Sequence, residues 1–460
     1  MGNVRRVFSV VDSIDSSPRT GGQSTTARPH GSRGPAWLLA AALTVAAAAA
    51  LYTTSLLDPA EGYDGAAFVR YAETLRAEGR LPTEAESYEF TAPPAYPALA
   101  VALSRAAEAV GAGVSWVPGQ LLSIAWMLGL IGVTWLLARE LWPSCPLLWA
   151  LAASATAGLP VVVRLGAMFH PETQFAFLAS LALLLAVRAR RGGWAARAGI
   201  PLGAVLGLAA LTRPTAAVVI VSISAVVLAS GRRAALRFAG VALVVCLLVA
   251  GPWWLRQSVR YGNPLRSNLD RYILADGQPR SFYASLPLED VVLRPYRPHF
   301  AGELLPQVHA DIWSDWFGAR HDYWREPPGA AARVFLSSQS VLGLLLGPLA
   351  LAGLLTFGGA ALARLLRGVE RGPRDFALAA CLVLAALSWA GFVIQLVRFP
   401  QEGGDPIKGS YLLHLAPVFA LSGLAAGHWL WRRGPAIRLA LLALAGLYAL
   451  SWAGFTLTAS

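Results

Sequence analysis

The sequence predicts an all-α, polytopic transmembrane protein. Three observations carry that expectation. Apolar runs of about 20 residues, long enough to cross roughly 30 Å of hydrocarbon, recur from Trp37 to the C-terminus. Only 14% of the 460 residues are charged and 56% are hydrophobic, where a soluble domain carries roughly 25% charge. Arginines gather in alternate loops between the apolar runs, as the positive-inside rule requires.

In chain order, residues 1–34 are rich in Ser, Thr, Gly and Arg without apolar periodicity, which predicts a disordered cytoplasmic tail ahead of one membrane domain over 35–460. The run at 37–57 exceeds a signal-peptide core and reads as a retained signal anchor; the Arg5-Arg6 pair lies too far upstream for a twin-arginine signal. Further spans are expected at 117–138, 146–163, 173–187, 199–211, 216–230, 238–255, 341–362, 376–397, 411–430 and 437–456, about 11 in all, with 199–211 short for a crossing. Two outer segments are long, 58–116 and 256–338. Within the first, 72–80 and 98–110 have helical character, separated by Pro93, Pro94 and Pro97. No internal repeat of fixed period occurs, which argues against an inverted-repeat transporter.

The net charge of +12 would suit a nucleic-acid partner if it were spread along the chain. Divided by the side that this topology assigns, the inner segments hold 20 Arg and 5 acids, and the outer ones 17 Arg, one Lys and 21 acids. The basicity is therefore topological, and no nucleic acid is expected. Arg188, Arg190, Arg191 and Arg197 form one inner cluster; Arg232, Arg233 and Arg237 form the next. Arg364, Arg367, Arg371 and Arg374, then Arg432, Arg433 and Arg438, complete the pattern, with the N-terminus inside and the C-terminus outside. Of the three cysteines, Cys145 falls near the inner face and Cys246 and Cys381 within spans, so no disulfide is expected.

The residues with chemical potential lie at the outer ends of the spans. Directly after the first one comes EGYDGAAFVRYAETLRAEGRLPTEAESYEFTAPPAYP, residues 61–97. Asp64 is the candidate general base, because an attacking acceptor hydroxyl must lose its proton to a nearby group, and Glu61 stands one turn earlier. A solvated acidic loop explains the same run, since Glu73, Glu78, Glu84, Glu86 and Glu89 follow. His170-Pro171-Glu172 opens the fourth span and brings a second acid to this face, though Pro and Glu in a first turn also suit an ordinary helix start. Lys408 is the only lysine, in DPIKGSYLLHLAPVF. Its compact ammonium could neutralise a departing phosphate, or simply snorkel to the interface. Arg213, in Leu-Thr-Arg-Pro-Thr, is a second cation near the membrane. Trp313, Asp315 and Trp316 could form an aromatic wall against a sugar, or an interfacial helix with Phe317, Tyr323 and Trp324. Arg266 and Asn268 in YGNPLRSN are further outer candidates.

The 61–97 loop resembles the first outer loop of GT-C glycosyltransferases of the protein-mannosyltransferase and aminoarabinose-transferase type, which move a sugar from a polyprenyl-phosphate carrier. Asp64 matches the position of their early catalytic acid, although this chain has Asp64-Gly65 where many relatives have Asp-Glu. Glu172 falls where members carry an acidic or amide residue, and the resemblance implies that it orients the acceptor or shares proton transfer. Lys408 to Pro417 resembles a pattern of a basic residue before a Tyr-Leu-Leu-Pro-like stretch, with His414 in place of Pro. The resemblance implies an inverting displacement, with Asp64 and Glu172 catalytic, Lys408 and Arg213 on the donor phosphate, and Glu61, His170, Tyr411, Trp313 and Trp316 binding substrate. The partners it implies are a polyprenyl-phosphate-linked sugar, membrane lipid, and a cell-envelope glycan, lipid or protein acceptor, at the outer face of the plasma membrane.

Absent motifs narrow the mechanism. No Asp-x-Asp is available for a nucleotide-sugar metal clamp, and no Gly-x-x-x-x-Gly-Lys-Ser/Thr loop for ATP. His309, Asp311, His321 and Asp322 lack metal-ligand spacing. No cofactor beyond the lipid-linked donor is expected, with a divalent metal left open. Two other readings use the same residues: a carrier or flippase for lipid-linked saccharides, and a structural subunit whose Gly203 to Gly207 stretch packs against a neighbour.

Overall fold

The computed structural model describes residues 34–266, 268, 277–296, 303–314, 329–370, 372–400 and 408–458. Nearly all of the expected tail at 1–34 lies outside the described residues. Among these residues the chain is helical, with no strand.

Helix α1 (Gly34–Leu56) leads into two amphipathic helices, α2 (Gly65–Glu78) and α3 (Ala95–Ala109). Next come α4 (Val117–Leu141), α5 (Pro146–Ala157), α6 (Pro160–Ala167) and α7 (Glu172–Arg191). The short pair α8 (Gly199–Ala210) and α9 (Ala216–Ala229) precedes the long α10 (Arg233–Tyr261). Three small helices follow, α11 (Arg280–Ala284), α12 (Leu288–Leu293) and α13 (Leu304–Trp313). Helix α14 (Gly329–Gly353) continues through a wide π turn (Leu354–Gly358) into α15 (Gly359–Leu366). The bundle closes with α16 (Pro373–Arg398), a 3-10 turn (Gly409–Leu415), α17 (Ala416–Trp431) and α18 (Pro435–Thr458).

Eight helical stretches are long and apolar enough to cross a membrane, or nine with the α5–α6 pair as one broken span. The protein is a multi-pass membrane protein. Each of the eleven expected apolar segments coincides with a helix or helix pair, but the α8 region and α9 are shorter than a full crossing. The expected unbroken span at 146–163 is corrected: α5 and α6 meet at 60°. The break falls where Pro160 opens α6, because proline has no N–H to continue the ladder of the preceding helix.

Two ends of the bundle are chemically distinct. At one end Arg190 and Arg232 both pair with Glu370, while Arg188 and Arg191 reach Glu140. This joins the loops after α4, α7, α9 and α15. Helix α7 carries Glu172 at its other end, and its 20 residues span about 30 Å. The arginine-rich loops and the Glu172 region therefore lie a hydrocarbon thickness apart. Arg364, grouped with the loop arginines by sequence, is instead buried and forms a bidentate pair with Asp375 at 2.8 and 2.5 Å, tying α15 to α16.

The glycines at 199, 203 and 207 answer a question that the sequence leaves open. A Cβ at Gly203 would fall 2.3 Å from the Ala242 carbonyl oxygen, and one at Gly199 would fall 2.6 Å from that of Phe238. The small-residue face of α8 is thus used within the chain, against the backbone of α10.

Candidate active site

The site starts at the turn after α1. Asp64 sits at the N-terminus of α2 with φ of 51°, a left-handed conformation that Asp tolerates better than most residues. Its backbone carbonyl accepts the first bonds of α2 from Ala67 and Phe68, both at 3.0 Å. An Asp here would ordinarily cap the helix with its side chain. This one does not, and its Oδ2 accepts a hydrogen bond from Lys408 Nζ at 2.7 Å. Gly65 follows where a second acid was expected. A Cβ there would lie 3.0 Å from the Ala60 carbonyl, a tight contact that Asp-Glu would relieve only by moving the Ala60 backbone a few tenths of an ångström.

Glu172, the first residue of α7, pairs with Arg213 at 2.8 Å, and its side chain is 2% exposed. Its backbone N–H donates to His170 Nδ1 at 3.3 Å; Pro171 is the N-cap and Glu172 the acid of the first turn, so the helix-start explanation holds beside the ion pair. Arg213 projects from the turn between α8 and α9. That turn is fixed from outside, because Leu211 O accepts the Ala95 N–H at 2.9 Å. The Arg213 guanidinium also lies over the Tyr411 ring, 5.5 Å from its centre. Lys408 sits 5.6 Å from the centre of the Tyr63 ring and is 6% exposed. Two cations and two carboxylates, from parts of the chain up to 344 residues apart, thus meet at the end opposite the arginine-rich loops, Glu172 and Lys408 buried and Asp64 and Arg213 largely enclosed.

Sequence reasoning missed Glu89, which it placed in a solvated acidic run. Most of that run behaves so: Glu73, Glu78 and Glu84 are exposed and Glu86 pairs with Arg80 at 2.6 Å. Glu89, however, is buried, and its Oε1 accepts from Asn268 Nδ2 at 3.0 Å. Asn268 also donates to Tyr88 O at 3.1 Å, and Gln257 Nε2 to Thr91 O at 3.1 Å, so the end of α10 and the residues after it strap the 88–91 segment down. The available signal was local: Glu89 is flanked by Tyr88 and Phe90, whereas Glu84 and Glu86 flank an alanine.

Charge and burial set opposite states for the two acids. Burial and then the negative charge of Asp64 push the Glu89 carboxyl up to about 7, against the pull of Arg213 and Asn268. Burial would raise Asp64 as well, but the Lys408 ammonium, supported by Arg213, outweighs it and holds Asp64 at about 2. His170 is pushed well below the usual imidazole value by burial and then by Arg213, so it stays neutral. With Nδ1 accepting from Glu172, its hydrogen resides on Nε2, which is buried with no hydrogen-bond partner among the described residues. Phe68 packs edge-on against the imidazole at 5.2 Å.

Other expected residues have different settings. Glu61 is exposed, and its carboxylate accepts the Asp58 N–H at 3.0 Å, closing the turn before Asp64. Trp313 is buried over Gly343 and edge-on to Tyr448 at 6.1 Å, so its ring is engaged in helix packing. Asp315, Trp316, Phe317, His321, Asp322, Tyr323 and Trp324 lie outside the described residues. Among the described residues, no three His, Cys, Asp or Glu side chains converge so as to hold a metal ion.

Residues 95–255, which include His170, Glu172 and Arg213, match the family model for dolichyl-phosphate-mannose-protein mannosyltransferase. No curated protein sequence gives a significant match. Among solved structures, the chain resembles the archaeal oligosaccharyltransferase AglB from Archaeoglobus fulgidus, in complex with an inhibitory peptide and a dolichol-phosphate. The TM-score is 0.53 at 15% identity, over 93% of this chain and 56% of that one. This chain therefore spans little more than half the length of AglB. ArnT from Cupriavidus metallidurans aligns with a TM-score of 0.44 at 18% identity, over 93% of this chain and 77% of its own. The arabinofuranosyltransferase AftD from Mycobacteria aligns with a TM-score of 0.45 at 18% identity, over 92% and 27%. The likeness to AglB is one of fold.

Proposed function

We propose that this protein is a glycosyltransferase that moves a sugar from a polyprenyl-phosphate donor to a cell-envelope acceptor, at the end of the bundle opposite the arginine-rich loops. The observation that carries this reading is the paired cluster of Asp64 with Lys408 and Glu172 with Arg213. In that arrangement a potential base and two cations meet beside membrane-spanning helices, where a lipid phosphate can enter from the bilayer. The excess of Arg in the opposite loops supports a plasma-membrane orientation with the site outside and the N-terminus in the cytoplasm. The donor and acceptor classes follow the matched family model and AglB, whose structure holds a dolichol-phosphate and an inhibitory peptide.

In the mechanism, the donor phosphate takes over Lys408 and Arg213 as counter-ions. Asp64 loses its ammonium partner, its proton affinity rises from the depressed value, and it can accept the proton of the acceptor hydroxyl. The acceptor oxygen attacks the anomeric carbon from the face opposite the phosphate. The bond from anomeric carbon to phosphate oxygen breaks, and its electron pair leaves with polyprenyl phosphate, whose negative charge the two cations stabilise. Configuration inverts in this single step. The neutral His170 donates Nε2–H to a substrate oxygen, and Glu172 keeps Arg213 in place.

The test is transfer by the full chain in liposomes, with a panel of polyprenyl-phosphate sugars and a membrane extract as acceptor. Asp64→Asn is expected to lower turnover by about 10²–10⁴-fold, at unchanged membrane abundance. Near-normal turnover in that variant would remove Asp64 from the base role. Carrier movement by the wild type without any glycoside product would replace the transferase reading with that of a lipid-saccharide carrier.

A further inference from the structure

The turn that carries Lys408 and Tyr411 is held from both sides by side chains other than those of the two ion pairs. At its start, the N–H of Gly409 donates to Asp311 Oδ2 at 3.0 Å. Asp311 lies on α13 and is 3% exposed. The approach is close: a Cβ on Gly409 would lie 2.7 Å from the Asp311 Cβ, so this backbone and this carboxylate meet only because residue 409 is glycine. A backbone N–H given to a buried carboxylate is a charge-assisted bond, stronger than a neutral one.

At the other end, His414 Nε2 and Ser388 Oγ are 2.8 Å apart, and both residues are buried. The His414 ring also rests on Phe175 at 5.2 Å, and Phe175 stands one helical turn from Glu172 on α7. A 3-10 turn has poorer internal hydrogen-bond geometry than an α-helix, so the register of these seven residues depends on such external ties.

We propose that Asp311, with the His414–Ser388 pair, is a positioning element that fixes the 409–415 turn so that Lys408 reaches Asp64 and Tyr411 lies under Arg213. The proposal rests on the assignment of Lys408 to the donor phosphate. Under it, the small helix α13 serves to register the phosphate-binding cation. It also accounts for a histidine at 414, where a side chain that only filled space would need no partner on α16.

The test is steady-state transfer by the full chain in liposomes with a polyprenyl-phosphate sugar donor, resolved into donor KM and kcat. Lys408→Ala is the reference variant. Asp311→Ala is expected to raise donor KM about tenfold, the size expected for losing one hydrogen bond to a charged group, with a smaller change in kcat. Asp311→Asn keeps an acceptor oxygen for Gly409 and should recover most of the donor affinity. The double variant of Asp311→Ala and Lys408→Ala should be no worse than Lys408→Ala alone. If Asp311→Ala does not fold, Ser388→Ala, which removes a single hydroxyl, is read in the same way. Independent, multiplicative effects in the double variants, or Asp311→Asn as impaired as Asp311→Ala, would overturn the positioning role while leaving the transferase assignment standing. An unchanged donor KM in Lys408→Ala would remove the phosphate assignment and the inference with it.

Discussion

Two carboxylates on either side of α2, Asp64 and Glu89, end in opposite protonation states because one meets an ammonium and the other an amide. The folded protein keeps a proton on Glu89 up to about pH 7, whereas the unfolded chain releases it near 4.5. Between those values the folded state binds more protons, so stability falls as pH rises through the window, and the full penalty applies above it. The depressed Asp64 contributes the other sign, stability that is lost only as pH falls towards about 2, well outside that window. Glu89→Gln keeps an acceptor for Asn268 and removes the titration. Its thermal midpoint in detergent should exceed that of wild type by the equivalent of about 3 kcal/mol near pH 8, with a much smaller difference near pH 5. Equal pH slopes for the two proteins would show that Glu89 is not held protonated. The aromatic neighbours Tyr88 and Phe90 hint in the sequence that this residue is enclosed, but its partner Asn268 lies 179 positions away and only the fold brings it near.

Helices interact here through features that are half visible in sequence. The four-residue spacing of Gly199, Gly203 and Gly207 announces a close-packing face, but its partner emerges only when α10 lies against it. Gly203→Val would drive a side chain into the Ala242 carbonyl, a backbone group that cannot rotate away. Separation of α8 from α10 should cost about 1–3 kcal/mol or more, read as a lower thermal midpoint and reduced membrane yield. Wild-type stability in that variant would show that the two helices pack less closely than described. The broken span is a related case: Gly158 and Pro160 mark a discontinuity in the sequence, but its 60° angle comes from how α6 packs on α1, α4 and the 3-10 turn. That angle directs the chain through Met168 and Phe169 to His170, so helix geometry sets the site.

For the whole molecule, charge and hydropathy reinforce each other. Helix α7 runs from the Glu172–Arg213 pair to the Arg188–Arg191 cluster, and Glu370 joins Arg190 of that cluster to Arg232 from the loop after α9 at the same end. If that end faces the cytoplasm, as proposed, alkaline phosphatase joined after α18 should be active on the outer side of the membrane. The same reporter inserted between α7 and α8 should be inactive. The reverse pattern would invert the orientation and place the site inside.

The apolar segments, the bundle's polarity and four of the residues now found in contact, Asp64, Glu172, Arg213 and Lys408, were legible in the sequence. Hydropathy and charge sign are properties of short windows, and a membrane reads them window by window. What only the tertiary structure decided was pairing and burial: which acid meets which cation, that Glu61 closes a turn while Glu89 is enclosed, and that Trp313 packs between helices. Those outcomes depend on neighbours hundreds of residues apart in the chain. The free energy of a buried charge is set by the partners that surround it, and the sequence does not place them side by side.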